Sequence, residues 1–582
     1  LIQKITKARE VCFDTETTGL NPLQADIVGM SFSVKPHEAY FILFPEEKQQ
    51  TQNLIHKFKP FFENKDIEKI GQNIKYDINV LRKYDIDVQG KIFDTMLAHY
   101  LIQPDLRHNM DYLAEVYLNY KPVSLESLIG KKGKKQKSVR SVPPEILTDY
   151  ACEDADITLQ LKDVFEKKLK EEKLDELFFH IETPLTRVLS KMEYTGIKLD
   201  VAYLHRLSEE ITEKLHHLTK KIYQLAGEEF NIDSPKQLGV ILFEKLQIVE
   251  KPKKTKTGQY ATGEDVLSKL SEKHEIIPEI LEYRMLKKLK STYVDALPKL
   301  VDPDTQRIHT TYMQTVAATG RLSSVNPNLQ NIPVKTELGR EIRKAFIATN
   351  DNYEILAADY SQIELRIIAS LAGDEHMIRA FKNNEDIHTS TAAKVFGIKP
   401  EEVTRELRTK AKAVNFGIIY GQSAFGLSQS LNISRTEAKE IIDNYFKQFP
   451  KIKQYIDNVI EEARKNEYVT TILGRKRYLK DINSKNAVVR GHAERNAINA
   501  PIQGSAADII KKAMIEIDQA FEEQNLQTKM VLQVHDELVF DVPLNEKQIV
   551  KNIVKNIMEN TVKLKVPLKV DMNFGKNWLE AH

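Results

Sequence analysis

Two acidic side chains stand two residues apart at the end of an apolar run, in VCFDTETTGL (residues 11–20). If this run is a strand, Asp14 and Glu16 point to one face of the sheet and Thr15 points to the other. Like charges on one half-buried face raise each other's pKa, so a divalent cation between them would stabilise the pair. The alternative is that the strand ends here and that both acids are solvated.

Further oxygen ligands follow with helical spacing. GQNIKYDINVL places Asp77 on an amphipathic helix, about one turn after Asn73, and DYACEDADITLQL places Tyr150 and Asp154 four residues apart. Positions four apart share a helix face, so the tyrosine hydroxyl and the carboxylate can converge. Four carboxylates and a tyrosine in one place would suit two hard divalent cations, which prefer oxygen ligands and can activate a water against a phosphodiester.

A second set of acids lies towards the carboxyl terminus. EILAADYSQIELRIIAS places Asp359 at the end of an apolar strand, and QVHDELVFDV places Asp536 and Glu537 at the turn of a hairpin. A single acid at a strand end is commonly a cap or turn residue. Two strands lying side by side would instead bring Asp359 and Asp536 together around Mg²⁺.

Between these acids, RELRTKAKAVNFGIIYG predicts a helix with an unusual stripe. Arg408, Lys412, Phe416 and Tyr420 follow at intervals of four, which makes one slanted stripe about 18 Å long. A core stripe would not begin with two cations, and a solvated stripe would not end with two aromatic rings. The order suits a triphosphate at one end and a stacked base at the other.

The surrounding pattern indicates several structural units. At 582 residues the chain is too long for one core, and we expect three or more domains. Residues 1–170 alternate strand-like and helix-like segments, including LIHKFKPFFE as a helix, which predicts a mixed α/β unit. Residues 171–300 are dominated by helical periodicity, with a Ser cap and a Pro opening SPKQLGVILFEKL. Residues 300–350 are rich in turn formers, and a strand, helices and a hairpin follow from residue 353.

Composition excludes some classes of protein. The chain is 41% hydrophobic and 29% charged, and no apolar run reaches the roughly 18 residues of a membrane helix. We find no signal peptide, and two cysteines fit a reducing compartment. The net charge of +2 indicates little about partners. Lysine clusters at residues 131–137 and 251–256 are either solvated loops or phosphate contacts.

The first set of motifs resembles a nuclease family. D-x-E, N-x-x-x-D and Y-x-x-x-D, in this order and span, are similar to the three motifs of the DEDDy 3′–5′ exonucleases. The resemblance implies an RNase H-like fold and two divalent metals, Mg²⁺, Mn²⁺ or Zn²⁺, held by Asp14, Glu16, Asp77 and Asp154. It also implies that Tyr150 orients the attacking water. Asn73 would contact the substrate.

The second set resembles the family A DNA polymerases, the bacterial DNA polymerase I group, in its large-fragment form. DYSQIELR, RTKAKAVNFGIIYG and VHDEL look like motifs A, B and C of that family, and TGRLSS and NAPIQGSAADI match too. The resemblance covers essentially the whole chain. It implies a multidomain α/β and α+β fold: an exonuclease domain over 1–175 and a right-hand polymerase domain over 176–582. The thumb would be about 180–300, the palm about 301–370 and 491–582, and the fingers about 371–490.

The polymerase resemblance implies roles for individual residues. Asp359 and Asp536, with the Tyr360 backbone carbonyl, would hold two Mg²⁺ ions, and Glu537 would be an auxiliary acid. Lys412 would also protonate pyrophosphate, Glu364 would exclude a 2′-hydroxyl together with Tyr420, and Phe416 implies poor acceptance of dideoxynucleotides. The incoming dNTP would contact Arg408, Lys412, Phe416, Tyr420, His388, Glu364 and Gln362. Primer and template would be held from the minor groove, where every base pair presents acceptors, by Arg321, Arg495, Asn499, Gln503 and His535.

The resemblance leads to a prediction of template-directed DNA synthesis with 3′–5′ proofreading, on primer–template DNA and dNTPs. Many family members carry a 5′-nuclease domain ahead of this point, and we expect none in this chain, which begins with Leu1 and can be a fragment or a processed product. We expect the protein to be a monomer with no membrane association. We also expect it to lie in the bacterial cytoplasm, associated with the nucleoid. The competing hypotheses are a nuclease with a carboxy-terminal DNA clamp and a non-enzymatic DNA-binding protein. The stripe argues against the first, and the intact acid sets argue against the second.

Overall fold

The computed structural model describes residues 1–334 and 336–582. Five strands near the amino terminus are β1 (Glu10–Thr17), β2 (Ile27–Lys35), β3 (Glu38–Leu43), β4 (Glu68–Gly71) and β5 (Ile92–Asp94). They form one sheet in the order β3-β2-β1-β4-β5, in which β1, β4 and β5 run parallel and β2 and β3 pair antiparallel. The strand β1 lies at the centre of this sheet, so its side chains are mostly buried.

Helices cover this sheet and carry several of the predicted site residues. They are α1 (Ile2–Ile5), α2 (Lys48–His56), α3 (Lys59–Phe62), α4 (Ile74–Arg82), α5 (Thr95–Ile102), α6 (Met110–Tyr117), α7 (Leu125–Ile129), α8 (Pro144–Glu171) and α9 (Asp175–Leu177). The mixed α/β organisation predicted for residues 1–170 is confirmed. The single helix predicted over 54–63 is wrong, because α2 ends at His56 and α3 begins at Lys59. Pro60 lacks an N–H and its ring would clash with the carbonyl of His56 in a continuous helix.

The next part of the chain is mainly helical, as predicted. Its helices are α10 (Thr183–Thr195), α11 (Val201–Ala226), α12 (Pro235–Val240), α13 (Glu264–Leu267), α14 (Ile276–Leu289) and α15 (Glu337–Lys344), and its short strands are β6 (Ile197–Leu199), β7 (Arg307–Ile308), β8 (Thr311–Met313), β9 (Ser323–Val325) and β10 (Phe346–Ile347). The predicted cap of α12 is confirmed, since the Ser234 side chain accepts a hydrogen bond from the Gln237 N–H and Pro235 opens the helix.

The carboxy-terminal part is built on a second sheet. Its strands are β11 (Tyr353–Tyr360), β12 (Tyr468–Thr470), β13 (Lys476–Tyr478), β14 (Lys529–Val534), β15 (Glu537–Pro543) and β16 (Val570–Gly575). Four of them form an antiparallel sheet in the order β14-β15-β11-β16. The predicted strand at residue 353 and the predicted hairpin are therefore neighbours in one sheet.

Ten helices complete this part: α16 (Ile363–Ala372), α17 (Glu375–Lys382), α18 (Ile387–Phe396), α19 (Arg405–Ile419), α20 (Ala424–Leu431), α21 (Arg435–Gln448), α22 (Pro450–Asn466), α23 (Ala487–Glu523), α24 (Lys547–Asn560) and α25 (Trp578–Ala581). The long helix α23 has 37 residues and packs against α16, α22 and α24. No helix in the described part of the chain is long and apolar enough to cross a membrane.

Buried polar contacts join the amino-terminal sheet to the rest of the molecule. The Glu193 carboxylate on α10 accepts hydrogen bonds from Lys75 and Asn79 on α4 and from the backbone N–H of Tyr312. The Tyr312 hydroxyl in turn accepts a hydrogen bond from the backbone N–H of Gln533 on β14, at 2.9 Å. These bonds fix the two sheets relative to each other.

The close packing around Gly29 on β2 can be tested by substitution. Gly29 faces Glu16 across the β1–β2 pair, and a Cβ atom on Gly29 would overlap the Phe41 ring and lie 2.7 Å from the Ile42 carbonyl oxygen. We expect Gly29→Ala to lower the free energy of unfolding by about 2 kcal/mol through overpacking. Urea unfolding followed by circular dichroism measures it, with Gly19→Ala as the control because a Cβ there meets only Ala25 at 3.9 Å. Equal midpoints for the two variants would contradict the strand packing.

Candidate active sites

Three acids converge at the amino-terminal sheet. Asp14 and Glu16 lie on one face of β1, and Asp154 reaches them from α8, which packs across β1 and β2. Each of the three side chains offers one oxygen atom, and these oxygens lie within 4.8 Å of one another. This cluster is the meeting point that the spacing of the acids predicts.

Burial makes this cluster electrostatically unfavourable without a cation. Burial raises the pKa of Asp14 to about 7, and burial and then Asp14 raise the pKa of Glu16 to about 8. Burial, followed by Asp14 and Glu16, also raises the pKa of Asp154 well above its usual range. Oxygen Oδ1 of Asp154 is buried without a hydrogen-bond partner among the described residues. An all-oxygen donor set with an unsatisfied carboxylate oxygen fits a hard divalent cation.

Two other predicted members of this site lie beside the cluster rather than in it. Oδ1 of Asp77 accepts hydrogen bonds from the Thr15 N–H at 3.0 Å and from the Thr15 hydroxyl at 2.5 Å. Asp77 nevertheless lies close enough to Asp14 for the Asp14 charge, after burial, to raise its pKa. Burial and then Asp154 raise the pKa of the Tyr150 hydroxyl, which therefore stays protonated beside that carboxylate.

The predicted substrate contact Asn73 stands at the start of α4. Its backbone is left-handed, with φ of 56°, and its N–H donates to Asp94 Oδ1 at 3.1 Å. The buried Asp94 also accepts from the Ile74 N–H and caps α5. Sequence reasoning missed Asp94, whose only local signal is its position ahead of the helix.

A second acid centre lies at the end of β11. Asp359 is the second-to-last residue of that strand, and Asp536 sits in the β14–β15 turn, where its backbone carbonyl accepts a hydrogen bond from the Tyr360 N–H at 3.1 Å. Burial, then Glu537 and Asp536, raise the pKa of Asp359 to about 7. Burial also raises the pKa of Asp536, against the nearby charge of Arg321. The two strands thus bring these acids together, and their mutual repulsion again fits a divalent cation.

Glu537 is adjacent to this centre but has its own partners. Its carboxylate accepts a hydrogen bond from the indole N–H of Trp578 at 2.9 Å and lies 3.3 Å from His582 Nδ1. Arg343, which is 1% exposed, lies 3.9 Å away. These contacts hold the Glu537 carboxylate against the carboxy-terminal helix. Sequence reasoning missed all three partners, since nothing in their local sequence marks them.

The stripe on α19 has the predicted order. Arg408 and Lys412 are exposed, Phe416 is half-buried, and Tyr420 forms the C-cap of the helix with 42% of its surface exposed. Arg408 is paired with Asp386 at 2.6 Å. The aromatic end of the stripe lines an open cavity of about 510 Å³, and Arg495 also lines this cavity. The stripe therefore presents its two cations and Tyr420 to solvent, while Phe416 packs partly against the core.

Glu364 connects this stripe to the second acid centre. It is 6% exposed, and its two carboxylate oxygens accept from Arg321 Nη2 at 2.7 Å and from the Tyr420 hydroxyl at 3.0 Å. Burial raises the pKa of Glu364, although Arg321 opposes the shift. Nearby, Gln362 caps α16 in a left-handed conformation, with its Oε1 buried and unbonded among the described residues.

His388 lies behind the stripe rather than on it. Its ring is buried, 5.9 Å from the Phe416 ring, and its Nδ1 lies 3.1 Å from the amide nitrogen of Asn415. Burial, together with Arg408 and Lys412, lowers the pKa of His388 to about 4 although Asp386 opposes the shift. The histidine is therefore neutral near pH 7, and any contact with a phosphate would be a hydrogen bond rather than an ion pair.

The residues predicted to hold primer and template fall into two groups. Arg321 and His535 line a cavity of about 30 Å³ that the metal-binding candidate Asp536 also lines. The other three, Arg495, Asn499 and Gln503, follow at intervals of four on α23. Arg495 belongs to the wall of the stripe cavity, so α23 extends from that cavity towards the acids.

Comparisons with known proteins identify two families along the chain. Residues 201–580 match the sequence profile described as DNA polymerase family A, and residues 1–170 match the profile described as 3′–5′ exonuclease. The predicted order, an exonuclease domain followed by a polymerase domain, is confirmed by these two matches.

Curated relatives include "DNA polymerase I" of Pseudomonas aeruginosa, 44% identical over all of this chain and 64% of the relative, and "DNA polymerase I" of Geobacillus stearothermophilus, 45% identical over 91% of this chain and 59% of the relative. This chain therefore spans less than two thirds of the length of these relatives. A solved structure described as the POL domain of Pol1 from M. smegmatis, in complex with DNA primer-template and dNTP, superposes with a TM-score of 0.89. It is 36% identical and covers 100% of this chain and 98% of its own.

The raised pKa values of the first cluster predict how stability depends on pH. Without metal, the folded protein keeps protons on Asp14 and Glu16 that the unfolded chain releases, because the folded pKa values are about 7 and about 8. Stability present below about pH 4 is therefore lost as the pH rises towards about pH 8. We expect the melting temperature in EDTA to fall across this range, and Mg²⁺ or Mn²⁺ to restore it at pH 8.

The variant Asp14→Asn separates this effect from general pH sensitivity, because an amide cannot ionise. We expect a flatter melting profile in EDTA and a smaller metal response. A melting temperature that rises with pH in EDTA, or an unchanged metal response in the variant, would contradict the assignment of this cluster.

Proposed function

The chain belongs to DNA polymerase family A, and we propose that it extends a DNA primer on a template strand and removes mismatched primer ends with its 3′–5′ exonuclease domain. The observation that carries the proposal is the presence of two acid centres with raised pKa values, with the cation-to-aromatic stripe on α19 beside the second of them. A nuclease alone would need no such stripe. The relatives and the solved complex with primer-template and dNTP support the same assignment.

Asp359 and Asp536 would hold two Mg²⁺ ions with the Tyr360 carbonyl, and Asp14, Glu16, Asp77 and Asp154 would hold two divalent ions, Mg²⁺, Mn²⁺ or Zn²⁺. When bound, such cations lower the pKa of the attacking hydroxyl or water and neutralise the charge of the leaving oxygen. Glu537, held by Trp578 and His582, would keep the β15 end of the second centre in place.

The exposed cations of α19 would bind the incoming triphosphate. Arg408 can exchange Asp386 for a phosphate, since its Nε and Nη2 both donate to the single oxygen Oδ2 of Asp386, whereas a phosphate would offer paired oxygens to this planar fork. Lys412, for which no ion pair is found among the described residues, would place its ammonium on the phosphates and donate a proton to the departing pyrophosphate. His388 and Gln362 would donate hydrogen bonds to the incoming nucleotide as uncharged side chains.

Selection of the nucleotide would occur at the aromatic end of the stripe. Tyr420 and Phe416 would contact the base and the sugar, and Glu364 would fill the space that a 2′-hydroxyl needs. The hydrogen bond from the Tyr420 hydroxyl to Glu364 supports this part of the proposal. Arg321, His535, Arg495, Asn499 and Gln503 would donate to minor-groove acceptors of the newly formed pairs, a contact that tests shape without reading sequence.

At the first centre, Tyr150 would orient the attacking water towards the terminal phosphodiester. Its raised pKa keeps the hydroxyl protonated and able to donate or accept a hydrogen bond. Asn73 would contact the single-stranded end. We propose that the protein acts as a monomer on DNA in the bacterial cytoplasm, at the nucleoid.

Single variants at the two centres should separate the activities. We expect Asp359→Ala to lower primer extension by roughly 10²–10³-fold or more, because a charge-stabilising group is lost, and to leave degradation of single-stranded DNA intact. Asp14→Ala should do the opposite. Gel assays with Mg²⁺, with and without dNTPs, measure both.

Matched controls are Asp571→Asn, an exposed acid paired with Asp359 across β11 and β16, and Asp156→Ala on α8, whose carboxylate accepts from the His37 N–H. Asp571→Asn should leave primer extension unchanged, and Asp156→Ala should leave degradation of single-stranded DNA unchanged. Degradation that depends on Asp359, or extension that depends on Asp14, would refute the assignment of separate sites.

A further inference from the structure

A cluster of four buried charges lies where the amino-terminal part, the β12–β13 turn and α23 meet. Glu182 and Asp508 are 0% exposed, Lys511 is 1% exposed and Arg475 is 4% exposed. Lys511 donates to Glu182 Oε1 at 2.7 Å, and the Arg475 guanidinium donates to Asp508 Oδ1 through Nε at 2.9 Å and Nη2 at 2.6 Å. The Arg475 Nη2 atom also pairs with Glu182. The cluster is neutral overall, with two cations and two anions.

Arg475 also contacts a backbone segment that leads to the proposed nucleotide site. Gly320 has a φ of +85°, and a Cβ atom there would lie 2.5 Å from Nε and 2.9 Å from Cδ of Arg475. Only glycine adopts this conformation readily and permits this approach. The Arg475 side chain, whose guanidinium is fixed by Asp508 and Glu182, therefore packs directly against Gly320.

The same segment is held from two further sides. The Gln314 side chain donates to Glu182 Oε2 at 2.7 Å, and the Tyr100 hydroxyl donates to the Ala317 carbonyl at 2.6 Å. Arg321 follows Gly320 directly and donates to Glu364, whose other oxygen accepts from Tyr420. A continuous path of contacts thus runs from the buried cluster to the Glu364–Tyr420 pair.

We propose that Arg475 is a positioning residue for sugar selection: it fixes Gly320, so that Arg321 holds Glu364 against Tyr420. This inference rests on the proposed polymerase activity. Arg475 does not touch the nucleotide. Its effect passes through the backbone at Gly320 and through the Arg321–Glu364 ion pair. Substitution of Arg475 should therefore alter the discrimination between dNTP and rNTP, and should leave cation binding by the acids unchanged.

The test compares Arg475→Lys with the unaltered protein. Lysine keeps the charge but lacks the planar fork that bonds Asp508 and Glu182 together and covers Gly320. We expect the ratio of kcat/KM for dNTP to that for the matching rNTP to fall about tenfold, below the roughly hundredfold that a 1 Å misplacement can cost. Degradation of single-stranded DNA should stay within about twofold, since the first acid centre does not depend on this path.

Two further variants approach the same contact differently. Gly320→Ala strains the contact between residue 320 and Arg475 without changing any charge. The double variant Arg475→Met with Asp508→Asn removes one cation and one anion together, and it leaves the Lys511–Glu182 pair. Both should lose discrimination as Arg475→Lys does. The matched control is Lys476→Gln, because Lys476 also bridges the β12–β13 turn to the amino-terminal part, through Glu172, but is absent from the Gly320 contact.

The outcomes are distinguishable. Reduced discrimination with retained single-strand degradation, in Arg475→Lys and Gly320→Ala but not in Lys476→Gln, supports the proposal. Unchanged discrimination in both variants overturns it, and so does the loss of extension and degradation together, which would make Arg475 a residue of general stability. If the unaltered protein extends no primer at all, it is the proposed function that fails, before any variant is compared.

Discussion

Repulsion between carboxylates that are held together away from water is the constraint on which the structure depends. Desolvation and mutual charge each favour the protonated acid, yet Asp14, Glu16 and Asp154 share one small region, and Asp359 and Asp536 share another. A side chain on a loop could turn away from such a position. Here Asp14 and Glu16 stand on a central strand, Asp154 on a 28-residue helix and Asp359 at a strand end, while Asp536 lies in the tight β14–β15 turn, so the cores of the two sheets carry the cost of keeping them together.

The two centres differ in what surrounds them, and this difference separates their proposed chemistry. The neighbours of the first centre are Asp77, which accepts two hydrogen bonds from Thr15, and the protonated Tyr150. Around the second, cations and aromatic rings line up on α19, and Glu364 is held between Arg321 and Tyr420. A phosphodiester needs little more than water and neutralised charge to be cleaved. Joining a chosen nucleotide to a primer needs a triphosphate site, a base platform and a test of the sugar.

Much of the fold and of both sites could be predicted because their signals are local. Period-two and period-four spacing identified the strand acids, the α19 stripe and the Tyr150–Asp154 pair. The prediction of one helix over 54–63 failed at a single proline. The orientation of the Asp77 carboxylate towards Thr15 could not be predicted, since it depends on a rotamer and a partner 62 residues away. The Glu182–Lys511 pair spans 329 residues, and Trp578 reaches Glu537 across 41, so no window of sequence contains either contact.

The central claim is that both centres act on one primer end, and a primer with a mismatched 3′ nucleotide, annealed to a DNA template with Mg²⁺ and all four dNTPs, tests it most directly. The account predicts that the primer is first shortened and then extended, with the mismatch replaced in the product sequence. The Asp14→Ala variant should instead stall at the mismatch or extend it unrepaired. A primer that is only shortened, even when correctly paired and with dNTPs in excess, would contradict the polymerase assignment of Asp359 and Asp536.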